Sequence, residues 1–243
     1  MQRLIVRSIL AALAVATTSV VIAAPPPAVE KAICRPEFQI EKETVSAGTA
    51  FVLDLQGAHV RSFLVSAHHL FGPDGGYATQ IPWSEVSAKV KSMQCTSLSD
   101  GAVWTVGHAL TMSGAERFGD GYLRDLSAFA FEDVSATSRP THLKLAARMP
   151  KVGQSVWLLA EVVEGAPRSL LLHHAVVTYS QADAMQYNFD NAKLSIRATS
   201  GAPVLDDAGD VVGVNLAGGL HGGVMSGTSD SVISIRALLE SAK

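Results

Sequence analysis

Charge is scarce in this chain and nearly balanced: 17% of the residues are Asp, Glu, Lys or Arg, and the formal net charge is −3. No basic stretch stands out, which argues against a nucleic-acid surface. Cysteine is rarer still. The only two are Cys34 and Cys95, with no C-x-x-C pair and no neighbouring histidine, and the eight histidines contain no H-x-x-x-H spacing. Neither a metal centre nor another cofactor is implied. Beyond the N-terminus no apolar run is long enough to suggest a membrane span. Internal repeats are absent, low complexity is confined to Pro25-Pro26-Pro27, and helical periodicity is scarce.

What is present begins with a leader. Residues 1–24 combine a basic start (Arg3, Arg7), an uncharged apolar run from Ile9 to Ile22 and a small-residue exit at Ala23-Ala24. This is the layout of a secretory signal peptide, cleaved after Ala23 or Ala24, and it predicts an exported protein, periplasmic or extracellular, with no membrane attachment after cleavage. In an oxidising compartment Cys34 and Cys95 would pair as a disulfide; two separate buried thiols are the alternative. Residues 25–47 mix prolines and charges and read as a linker leading to an edge segment.

From Gly48 onward short apolar or alternating runs are bounded by Gly, Pro, Asp and Ser. They are Thr49 to Leu55, Arg61 to Ser66, Ala102 to Val106, Leu126 to Phe131, Ser155 to Val163, Leu170 to Tyr179, Val211 to Leu216 and Gly223 to Gly227. Repeated short strands with turn signals between them predict an all-β barrel or sandwich. One short amphipathic helix is expected at the end, from Ser234 to Glu240 with Ser234 as its cap. A polar stretch at Thr137-Ser138-Arg139-Pro140 divides the strands into residues 48–140 and 141–243.

Three stretches carry chemistry. Ala198-Thr199-Ser200-Gly201-Ala202-Pro203-Val204 sets a serine among small residues just before a β-hairpin, an accessible position for a nucleophilic Oγ. Phe63-Leu64-Val65-Ser66-Ala67-His68-His69 ends an apolar strand in histidine, and Arg124-Asp125-Leu126-Ser127-Ala128 opens an alternating strand with aspartate. In the order His, Asp, Ser, at separations of about 57 and 75 residues, they resemble the trypsin/chymotrypsin-like serine peptidases, whose motifs read T-A-A-H, D-[IL]-A-L and G-D-S-G-G-P-V.

The resemblance implies two packed six-stranded antiparallel β-barrels with a short C-terminal helix and the catalytic cleft between them. It further implies an endopeptidase that hydrolyses protein or peptide substrates through an acyl-enzyme. Ser200 would be the nucleophile, His68 the general base and Asp125 its orienting carboxylate; His69 is a rival base, and Asp120 and Asp133 are alternative carboxylates. A catalytically idle relative that binds peptides or a partner protein, and an esterase with the same triad, are the competing readings.

By the same resemblance the backbone N–H groups of Ala198 and Ser200 form the oxyanion hole, and Leu194, Leu216 and Gly218 line the pocket for the residue preceding the scissile bond. Nothing charged stands on that floor, which predicts an uncharged substrate side chain there. The family places glycine and aspartate where this chain has Ala198 and Thr199. Thr199 cannot form the ion pair with a new N-terminus that some members use for activation. A Cβ at position 198 opposes positive φ, so Ala198 is expected to hold the resting peptide turned away from the catalytic orientation in part of the population; a local turn that suits alanine is the alternative.

Overall fold

The computed structural model describes residues 24–26, 28–117, 124–132 and 139–243. The expected signal peptide, Asp120 and Asp133 therefore lie outside the described residues, apart from Ala24.

Eight strands form the first sheet: β1 (Ile33–Ile40), β2 (Glu43–Ser46), β3 (Ala50–Leu55), β4 (Arg61–Ser66), β5 (Val90–Ser97), β6 (Val103–Val106), β7 (Ser127–Ala130) and β8 (Leu143–Lys144). Its main path runs β6-β5-β1-β3-β4-β7, with β2 paired to β1 and β8 lying parallel to β3. The segment expected as a linker thus supplies a central strand. In β1, Ile33, Cys34, Pro36, Phe38 and Ile40 are buried while Arg35 and Glu37 face out, the alternation of a half-buried strand. Phe38 anchors the core edge-on to Phe71, with ring centroids 5.1 Å apart.

Cys34 on β1 and Cys95 on β5 are joined by a disulfide, their Cα atoms 5.5 Å apart. Because the two strands are direct neighbours, the bridge fixes a pairing that already places Pro36 opposite Cys95. Pro36 has no N–H to give to the ladder at that point.

The second half closes into a six-stranded barrel made of β9 (Ser155–Leu159), β10 (Leu172–Ser180), β11 (Met185–Phe189), β12 (Pro203–Leu205), β13 (Val211–His221) and β14 (Val224–Ser231), ordered β10-β11-β14-β13-β12-β9. In β10, His173, Ala175 and Val177 point inward and their neighbours outward. The helix that follows, Val232–Ser241, buries Val232, Ile235, Leu238 and Leu239. Its cap is Ser231 rather than Ser234: the Ser231 Oγ accepts the Ser234 N–H at 3.1 Å, so the helix starts one turn earlier than its polar residues suggest.

The two halves meet at the nucleophile. Thr49 N–H on the first donates to Ser200 O on the second at 2.8 Å. A Cβ on Gly201 would lie 2.3 Å from Thr49 O and 2.5 Å from Ser66 Oγ, and its φ is +85°. Glycine after the serine is therefore required both for conformation and for the close approach of the halves. Farther out, Arg236 donates to Ala146 O and Arg61 to Leu239 O, at 3.2 and 3.1 Å.

Candidate active site

Strand β4 ends at Ser66, whose Oγ donates to Thr49 O at 2.8 Å. The chain then makes one tight helical turn over His68–Phe71. In such a turn consecutive side chains diverge, and here they go to opposite fates. The backbone N–H of His69 donates to Asp125 Oδ1 at 2.7 Å, and its Nδ1 to Asp125 Oδ2 at 2.6 Å. A carboxylate holding both groups fixes the ring and its tautomer, leaving Nε2 free to take a proton. Asp125 is fully buried and His69 nearly so.

The expected pairing of His68 with Asp125 is thus corrected to His69 with Asp125. His68 Nε2 donates to Ile81 O at 2.9 Å, and its ring packs edge-on to Phe71 at 5.7 Å. Burial pushes its pKa down, opposed by the charge of Asp125. It is a satisfied core histidine. The signal for His69 was in the motif itself: with Ser66 in the place of the threonine of T-A-A-H, the fourth position is His69.

Ser200 stands half-buried on the facing loop, and its Oγ donates to Leu216 O at 3.2 Å. Ser200, Ala198 and Leu70, the residue after His69, line one cavity of about 700 Å³ together with Gly48 and Arg197. Ala198 has φ +63°. Thr199 N–H closes a turn on Ile196 O at 3.3 Å, and Ala198 is the third residue of that turn, the position where type II geometry needs positive φ. The alanine therefore sits in the left-handed region in the resting chain. Among the described residues the N–H groups of Ala198 and Ser200 take no backbone acceptor.

Thr199, in the place of the family aspartate, is held without charge. Its hydroxyl donates to Ile196 O at 2.7 Å, and Asn215 Nδ2 donates to it at 2.9 Å. Asn215 Oδ1 in turn accepts from Tyr187 OH at 2.6 Å. Of the expected pocket residues, Leu194 and Leu216 are core residues with buried side chains, whereas Gly218 is exposed on β13.

One further group escaped the sequence reading. Asp230 on β14 is fully buried, and its carboxyl oxygens have no hydrogen-bond partner of ordinary geometry among the described residues. Burial above all, and then the charge of Asp125, push its pKa well up, while the Asp125 peptide N–H and Arg124 pull weakly the other way. Burial thus favours its neutral, protonated form. Away from the cleft, His174 joins Asp190 Oδ2 through Nδ1 at 2.5 Å and Ser155 Oγ through Nε2 at 3.1 Å.

A six-stranded barrel, a second β-sheet beside it and a short C-terminal helix, with histidine and aspartate in one half and serine in the other, make this the trypsin/chymotrypsin-like serine-protease fold. Among solved structures the chain is similar to the Rv3671c protease from M. tuberculosis in its active form, at 15% identity and a TM-score of 0.55, covering 95% of this chain and 93% of that one. The inactive form of the same protease matches at 14% and 0.53, covering 91% and 98%. A serine endoprotease from Yersinia pestis matches at 13% and 0.54, covering 87% of this chain and 62% of that one. No protein-family model matches the sequence, and no curated protein matches it.

Proposed function

We propose that the chain is an exported serine endopeptidase in which Ser200 is the nucleophile, His69 the general base and Asp125 the residue that orients it. The observation that carries this reading is the double hydrogen bond from His69 to a fully buried Asp125, in a fold shared with serine proteases, with the next residue, Leu70, lining the same cavity as Ser200. The Ser200 hydroxyl turns from Leu216 O toward His69, and Oγ attacks the substrate carbonyl as its proton passes to Nε2. The tetrahedral oxygen receives the N–H groups of Ala198 and Ser200. His69 then protonates the leaving amine, and water, activated by the same imidazole, hydrolyses the ester. Export is supported by the disulfide and by the leader-like N-terminal sequence.

The second reading, a cleft that binds peptides without cutting them, is favoured by the Ser200 hydroxyl bonding to a carbonyl oxygen instead of to histidine. A fluorophosphonate probe separates the two. Labelling of the parent that vanishes in Ser200→Ala supports the peptidase, and a parent that never labels supports the binder.

A further inference from the structure

Beside Ser200, strand β13 offers an open edge. β12 pairs with it only as far as Val214, so among the described residues the side facing the nucleophile has no partner strand from Ala217 onward. An extended peptide laid along that edge with its carbonyl at Ser200 would direct the side chain preceding the scissile bond into the slot between loop 194–200 and the paired residues Gly218 and Gly227. Neither glycine carries a side chain to occupy that slot. Here it is filled by the chain itself.

A Cβ on Gly218 would lie 2.4 Å from Ile196 Cδ1, and one on Gly227 would lie 2.4 Å from the Tyr187 ring. Ile196 reaches in from the nucleophile loop and Tyr187 from β11, and both are buried. Tyr187 is pinned, its hydroxyl on Asn215 at 2.6 Å and its ring edge-on to Phe189 at 5.4 Å. Leu194, at the base of the same loop, is buried as well.

We propose that Ile196 and Tyr187 are specificity-determining residues that restrict the position preceding the scissile bond to glycine, alanine or serine. This rests on the peptidase reading of Ser200. A leucine or phenylalanine there would have to expel packed hydrocarbon, because interiors at native density have no spare volume for an extra side chain. An alanine methyl needs no such displacement.

The test uses quenched peptides that differ only at the residue before the scissile bond, with cleavage sites read by mass spectrometry. The parent should cleave after alanine at least tenfold faster, in kcat/KM, than after leucine or phenylalanine. Ile196→Ala should raise the leucine-to-alanine ratio at least tenfold. A parent that cleaves after leucine, phenylalanine or arginine as well as after alanine overturns the proposal, as does an unchanged ratio in Ile196→Ala.

The companion measurement needs no catalysis. Ser200→Ala protein is titrated with labelled peptides ending in alanine or in phenylalanine. At least tenfold tighter binding of the alanine peptide sustains the filled slot even where no peptide is cut, in which case only the peptidase reading fails. Equal or weaker binding of the alanine peptide, or binding of neither, overturns it.

Discussion

Three histidines among the described residues, His69, His142 and His174, contact an aspartate through Nδ1, yet only His69 stands where chemistry is expected. His174 has the more complete set, with Asp190 on one nitrogen and Ser155 on the other. It lies on the outer surface of the second barrel, where the Asp190 side chain is 66% exposed. Among the described residues His69 has no serine bonded to it, but its Asp125 is entirely buried. Hydrogen bonds and ion pairs at the surface compete with water and are worth little, whereas in a dry site they hold geometry and resist reorganisation. A Ser-His-Asp contact pattern alone does not define a catalytic site. Burial of the carboxylate is what distinguishes the His69 pair from the His174 pair, and in the opposite half the N–H groups of Ala198 and Ser200 take no backbone acceptor among the described residues.

The largest expected effect tests this contrast directly. Ser200→Ala or His69→Ala should lower turnover by roughly three to six orders of magnitude, while Ser155→Ala and His174→Ala should each change it less than about threefold. Fluorophosphonate labelling and peptide cleavage read both arms. Loss of labelling in Ser155→Ala with retention in Ser200→Ala would reverse the assignment.

Removing the bridge should loosen the half that carries His69 and Asp125. Replacing Cys34 and Cys95 together by alanine is expected to cost about 2–4 kcal/mol in denaturant unfolding. A loss below about 1 kcal/mol would mean that strand pairing alone holds β1 to β5.

Burial also gives the molecule a stability dependence on both sides of neutrality. His68 and His173 have their pKa values lowered, first of all by burial. The unfolded chain then binds protons that the folded chain refuses, and stability should fall as pH drops below about 6.5. His68→Gln should flatten that fall. Asp230 works in the opposite sense: its folded-state pKa is raised, so stability is greatest below about pH 4 and declines as pH rises toward the folded-state value. Asp230→Asn should be less sensitive between pH 4 and 8 when melting temperature is followed across the range. A variant that tracks the parent at every pH would show that Asp230 is ionised in the fold.

The smallest effect concerns the oxyanion turn. With Ala198 already at φ +63°, glycine at this position should raise stability by about 0.5–1 kcal/mol, the left-handed cost less the extra entropy of an unfolded glycine. A rise in kcat above tenfold would instead mean that the resting peptide is not yet in its catalytic orientation.

Strands β3 and β4 were legible from sequence because their apolar runs are bounded by turn residues. β1 was not. Its inward residues, Cys34, Pro36, Phe38 and Ile40, alternate with charged and polar ones, and the prolines and charges around them read as linker. β11 was hidden in the same way, since Met185, Tyr187 and Phe189 alternate with Gln186 and Asn188 over only five residues. At the candidate site, the sequence paired His68 with Asp125, whereas the histidine bonded to that carboxylate is His69. Adjacent residues in a tight turn differ in direction by the backbone path, and that path is set by Asp125 and Ile81, far off in sequence. Asp230 left no signal because nothing local distinguishes a buried aspartate from a solvated one. Filling of the slot by Tyr187 is likewise a tertiary event.

The tether behind the nucleophile has one more consequence. Thr199, Asn215 and Tyr187 hold the loop through hydroxyl and amide groups only, and burial pushes the tyrosine pKa up, so that it too stays neutral. Dissolved ions screen charges, and this tether offers them none. Brine and dilute buffer should therefore leave the loop in the same shape, and any sensitivity of the protein to salt must arise elsewhere, at exposed pairs such as Arg35–Glu161, Lys89–Glu85 and Arg117–Asp74.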